Sequence, residues 1–106
     1  MKRVTVSAKD QDGLNVVNYI FEFEVEDNVD FMDAVKKASR EYCLTTDGKK
    51  TYSGNCHNFN WGDFDVYVPD EICQKFGIKK LSSASTVIDV DLNEQLVNEE
   101  DIFPPL

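Results

Sequence analysis

Cys56 and His57 are neighbours, and with Cys43 and Cys73 they make up every thiol and imidazole in the 106-residue chain. Thiolates and imidazoles serve nucleophilic catalysis and zinc coordination. Their spacing favours neither. No Cys-x-x-Cys pair and no second histidine frames a zinc site. Adjacent residues of an extended chain point to opposite sides, so being neighbours does not make Cys56 and His57 a hydrogen-bonded nucleophile and base. Cys43 and Cys73 fall inside helical patterns, where a cysteine acts as a small core residue. An odd number of widely separated cysteines suits reduced thiols and a cytoplasmic setting better than a secreted disulfide framework. The chain has no Gly-rich phosphate loop and no Ser-centred nucleophile elbow. A small enzyme or metal protein using Cys56 and His57 therefore stands only as an alternative, and no cofactor or metal is expected.

"DVDLNEQLVNEE" sets Asp89, Asp91, Asn93 and Glu100 at positions 1, 3, 5 and 12 of a calcium-loop pattern. Position 6 needs Gly for its sharp turn and holds Glu94, and no helix pattern precedes the segment. It reads as an acidic strand end.

Charge carries more information. Twenty acidic residues against 11 basic ones give a net charge of -9, which repels phosphate backbones and anionic lipid headgroups and favours basic protein surfaces. Direct nucleic-acid or membrane binding is not expected. In "NYIFEFEVED", Phe21, Phe23 and Val25 alternate with Glu22, Glu24 and Glu26, so an extended chain turns one face to the core and lines three carboxylates along the other. Asp89 and Asp91 alternate in the same way near the C-terminal end, and Asp65 is a candidate addition. Trp61, the single tryptophan, lies beside Gly62-Asp63 in "NFNWGDF", where it either packs under the first helix as core or projects from a hairpin turn as an apolar anchor.

The elements that must position these groups follow from periodicity. "RVTVSAK" alternates, and residues 2 to 9 and 16 to 26 are expected to pair antiparallel, with Val4 facing Phe21, Val6 facing Tyr19 and Ala8 facing Val17. "FMDAVKKASREYC" repeats apolar residues at Phe31, Val35, Ala38 and Tyr42, which predicts the main helix over 30 to 43 with Asp30 as N-cap. "TTDGKKTYSGN" reads as a small hairpin or a loop. "HNFNWGDFDVYVP" reads as a hairpin closing at Gly62-Asp63. "VPDEICQKFGI" predicts a short helix, with Pro69 at its start, Asp70 and Glu71 in its first turn and Gly77 at its end. "STVIDVDL" predicts a last strand with Ile88, Val90 and Leu92 inward.

The expected architecture is α+β, with a small, mainly antiparallel sheet in the order β-β-α-β-β-α-β and helices on one face, or a β-grasp-like variant. Residues 1 to 98 form one domain, and 99 to 106 a flexible acidic tail containing prolines. No apolar run approaches the length of a membrane span and no leader-like segment follows Met1. The expected function is a non-enzymatic protein-binding module that docks on a basic protein surface through Glu22, Glu24, Glu26, Asp65, Asp89, Asp91 and Trp61. A nucleic-acid-binding protein is the natural partner class, as for an inhibitor of the nucleic-acid-mimic or phage and mobile-element anti-defence type. A self-associating assembly protein is the other reading. The sequence leaves the oligomeric state open.

Overall fold

Alternation builds, among the described residues, a three-stranded antiparallel sheet in the order β1-β2-β3, from β1 (Lys2–Asp12), β2 (Asn15–Val25) and β3 (Ile78–Asp89). Between β2 and β3 the described residues form four helices: α1 (Phe31–Cys43), α2 (Thr46–Tyr52), α3 (Trp61–Tyr67) and α4 (Asp70–Lys75). The structure, a computed structural model, describes residues 1–12, 15–52 and 59–89. The α+β class is as expected. The order is not, because between the expected α1 and α4 two further helices, α2 and α3, stand where a hairpin was expected. The β-grasp alternative also fails, since β3 joins the sheet beside β2 and antiparallel to it.

β1 and β2 pair with Val4 opposite Phe23, Val6 opposite Phe21 and Ala8 opposite Tyr19, two residues from the expected register. A shift of two keeps every side chain on its face, because the strand period is two. Phe23 is the centre of the core: it is fully buried, with the rings of Phe31, Phe64 and Trp61 at 5.3, 5.7 and 6.2 Å.

α1 forms where expected. Asp30 accepts the Asp33 N–H at 2.9 Å, capping one of the open N-terminal amides. Val35, Ala38 and Tyr42 are buried, and Phe31 is half-buried against Trp61. Ser39 is buried without cost to its hydroxyl, which donates to the Val35 carbonyl at 2.7 Å. α2 is the first correction. Asp47-Gly48 looks like a turn, yet Gly48 lies inside a helix and is buried. A Cβ there would run into the Tyr42 carbonyl and reach 2.7 Å from the Cys43 Cα, so glycine lets α2 close on the end of α1.

α3 is the second correction. Gly62-Asp63 does not close a hairpin; it lies in the first turn of a helix. Asp63 donates its N–H to Asn60 Oδ1 at 2.8 Å, and Asn60 returns its own N–H to Asp63 Oδ2 at 3.2 Å. That reciprocal box starts the helix. α4 follows the reading, with Pro69 at its N-cap, Asp70 and Glu71 in its first turn, and Gly77 at φ +79° leading into β3. β3 begins well before the expected strand. Its register slips between Glu22, which faces Ser82, and Phe23, which faces Lys80, leaving Leu81 as an extra bulged residue. Val90 and Leu92, the calcium-loop pattern beyond Asp89, and the tail lie outside the described residues, as do Cys56 and His57. No helix among the described residues is long and apolar enough to cross a membrane.

Candidate functional site

The carboxylates picked out by alternation occupy several places. Glu22 is half-buried and ion-paired with Arg3 at 3.2 Å, and Ser82 Oγ donates to it at 3.4 Å. Glu24 lies between Arg3 on β1 and Lys79 on β3 in the register. Signs therefore alternate across this sheet face, which offsets the repulsion that a row of glutamates would feel. Glu26 is exposed beyond the end of β2. Asp65 lies in α3, in the helical layer. Asp89 pairs with Asn15, seven residues along β2 from Glu22, or roughly 23 Å at the strand rise. The bulge at Leu81 also gives Asp89 the register parity of Tyr19 and Phe21 rather than that of Glu22. Asp91 lies outside the described residues.

Trp61 is not an exposed anchor. It is 4% exposed, its ring parallel to Phe31 at 5.8 Å and edge-on to Phe64 at 6.3 Å. Helical winding puts Trp61 and Phe64, three residues apart, on one inward face. The same winding sends Val66, two residues past Phe64, to the opposite side.

The sequence reading missed this outward side of α3. Val66 and Tyr67 are 71% and 44% exposed and form a ridge between two open grooves. One groove, about 450 Å³, runs between α3 and the inner side of β2 and β3, with Asp63, Asp65 and Ser83 in its walls. The other, about 470 Å³, runs toward α1 and α2, with Tyr42, Asp47 and Pro69 in its walls. Asp70 and Glu71 continue from Pro69 and are exposed. Among the described residues, Asp47, Asp65, Asp70 and Glu71 make no salt bridge, in contrast to Glu22. Lys50 lies in the wall of the second groove, and Lys79 and Lys80 lie near Asp70.

Tyr67 is held from beneath. Its ring meets Tyr52 edge-on at 5.8 Å, and Tyr52 in turn packs edge-on against Phe59 at 5.3 Å and Tyr42 at 6.4 Å. The Tyr52 hydroxyl is buried and finds no hydrogen-bond partner among the described residues. Burial first, and the nearby Asp63 charge second, push its pKa well above the ordinary phenol value, so it stays protonated. An aromatic ring fixed in this way loses little freedom on contact with a partner.

The cysteines divide. Cys73 is a free thiol, buried at the inner side of α4. Burial pushes its pKa up to about 11, with Lys80 opposing and Asp70 and Asp65 adding. Such a thiol is not a nucleophile near neutrality. Cys43 is disulfide-bonded, which corrects the reading of all three cysteines as reduced and removes the thiol argument for a reducing compartment. Its partner is not among the described residues. Among those residues, no group of three or more His, Cys, Asp or Glu is placed to hold a metal ion.

No protein-family model, curated protein or solved structure matches this chain.

Proposed function

We propose that the chain is a non-enzymatic protein-binding module that docks on a basic protein surface through the outward side of α3 and the start of α4. One observation carries the reading: two adjacent exposed apolar residues, Val66 and Tyr67, stand beside Asp47 and Asp65, carboxylates that make no salt bridge among the described residues. An apolar ridge within a charged rim is the composition of a recognition surface, in which the ridge supplies affinity and the rim supplies orientation and rate. The net charge of -9 reinforces attraction to basic partners at long range. The best-suited partner is a protein whose own ligand is a nucleic acid, since its basic surface would accept carboxylates in place of phosphates. The chain would then act as an inhibitor, in the manner of anti-defence proteins. Glu22 and Glu24, already balanced by Arg3 and Lys79, contribute less than the sequence suggested.

The test is affinity capture from the native lysate at low salt, with release by high salt. Wild type should retain a basic protein, and a Val66→Ser, Tyr67→Ser double variant with unchanged circular dichroism should lose it. Equal retention by both would sink this reading.

A further inference from the structure

β3 has an open outer edge: among the described residues no strand pairs with it on the side away from β2. A free edge offers every second residue's N–H and C=O to another chain. Proteins blunt such edges with charges, prolines or bulges. β1, the other edge, carries Lys2, Arg3, Lys9 and Asp10. The bulge at Leu81 interrupts β3 early, after Lys79 and Lys80. Beyond it the protection stops. Ser82, Ser83, Ala84, Ser85 and Thr86 are all exposed, and none is charged or proline.

This bare stretch forms one wall of the first groove. Ser83, Ala84 and Ser85 face Asp63, Asp65 and Val66 of α3 across about 450 Å³ of open space. Lys80 stands at one end of that space, its ammonium engaged with the backbone carbonyls of Asp65 and Val68, which ties the end of α3 to β3 and sets one cation against the two carboxylates of Asp63 and Asp65. We infer that β3 is extended by a fourth strand from the partner, an extended segment with basic residues at alternate positions that pairs with Ser82–Thr86 and turns its basic side chains toward Asp63 and Asp65. The inference rests on the docking reading above and deepens it, because it gives the partner's contacting segment a conformation and a charge pattern.

Charge decides the occupant. A second copy could pair edge to edge, but it would bring another molecule of charge -9 and a second Asp63 and Asp65 against the first. A basic strand gains from the same carboxylates. Main-chain hydrogen bonds would supply the affinity, and the groove would select the side chains.

The test titrates the full-length, 15N-labelled chain with a synthetic peptide of about seven residues, long enough for one strand, that alternates Lys and Val. Peptides alternating Glu and Val, or Lys and Pro, serve as controls. The Lys-Val peptide should shift the amides of residues 82 to 86 and slow their hydrogen exchange, and neither control should do so. Ala84→Pro and Ser85→Pro divide the edge by parity. The one whose N–H points away from β2 leaves the sheet intact and should weaken binding about tenfold, the equivalent of one or two backbone hydrogen bonds. Asp65→Asn should weaken binding severalfold while leaving edge protection in the bound state. Absence of any binding at millimolar peptide would overturn the inference. So would shifts confined to Val66 and Tyr67 that survive both proline variants, although that second outcome leaves the docking reading intact. Concentration-dependent dimers that protect the same amides without peptide would overturn it in favour of a second copy.

Discussion

Replacing Trp61 by Ala should destabilise the protein severely, because the side chain belongs to the core. Trp61 is 4% exposed and packed on Phe31, Phe23 and Phe64 with ring centroids 5.8 to 6.3 Å away. An aromatic side chain buries roughly 150 to 250 Å², which at about 25 cal/mol per Å² corresponds to ~4 to 6 kcal/mol of transfer free energy as an upper bound. Measured truncations of buried Phe and Trp fall at about 3 to 5 kcal/mol. With an unfolding entropy near 2.1 cal/mol/K per residue, that loss lowers Tm by roughly 14 to 22 °C for a chain of this size. Thermal unfolding followed by circular dichroism reads the shift. Trp61→Phe should recover more than half of it, since a phenylalanine ring still stacks on Phe31. As the chain's single tryptophan, Trp61 also reports on itself: native emission should be blue-shifted and shielded from iodide, and unfolding should abolish both properties. A Trp61→Ala variant with unchanged Tm, or native emission that already resembles the unfolded state, would refute the core placement.

Gly48→Ala should cost several kcal/mol, more than the roughly 1 kcal/mol that Ala usually gains over Gly in a helix, because the new Cβ collides with the Tyr42 carbonyl; chemical denaturation checks this, and a more stable variant would show that α2 does not sit so close to α1. Cys73, with its pKa raised from 9.0 to about 11, makes stability fall at high pH. The unfolded thiol ionises first, so the contribution is intact below about pH 9 and lost as pH rises toward 11, amounting to roughly 2 to 3 kcal/mol. Cys73→Ala should flatten that slope, and native Cys73 should react with a thiol reagent only as fast as the protein opens. Replacing Glu22, Glu24 and Glu26 by Gln should leave Tm within about 1 °C, because losing the Arg3 pair and relieving repulsion nearly cancel on an exposed face. A large fall would show that the Arg3–Glu22 pair matters more to stability than its exposure implies.

Elements with both a period and a cap were legible. α1 combines the Phe31, Val35, Ala38, Tyr42 stripe with Asp30, and α4 combines Pro69, Asp70 and Glu71 with Gly77. The first two strands were legible from alternation, and their register was missed by one full period because a two-residue slip leaves both faces equally apolar. α3 was hidden. In "WGDFDVY" the apolar residues satisfy alternation and the three-residue spacing at once, and Gly-Asp imitates a hairpin turn. The deciding signal was Asn60 three residues before Asp63, a capping box with amide and carboxylate partners. The same mistake concealed the candidate site, since a hairpin would have paired Val66 with Phe59, whereas the helix turns Val66 outward and buries Phe59. α2 was hidden for a different reason: Gly48 serves close helix packing there, a role identical in sequence to that of a turn glycine. The bulge at Leu81, which sets the parity of Asp89, has no sequence mark at all.

The most direct test of the account is the salt dependence of association between this chain and the basic partner recovered by capture, measured by stopped flow for wild type and for a variant carrying Asp47→Asn, Asp65→Asn and Asp70→Asn. Asp47 and Asp65 line the grooves beside the Val66–Tyr67 ridge, Asp70 follows Pro69 at the start of α4, and none of the three serves as a side-chain helix cap. The account predicts a wild-type association rate that falls steeply as salt rises through the range where the Debye length shrinks from about 10 Å to 3 Å, a slower and flatter response in the variant, and a dissociation rate changed far less. Identical association rates and salt slopes for the two proteins would contradict it.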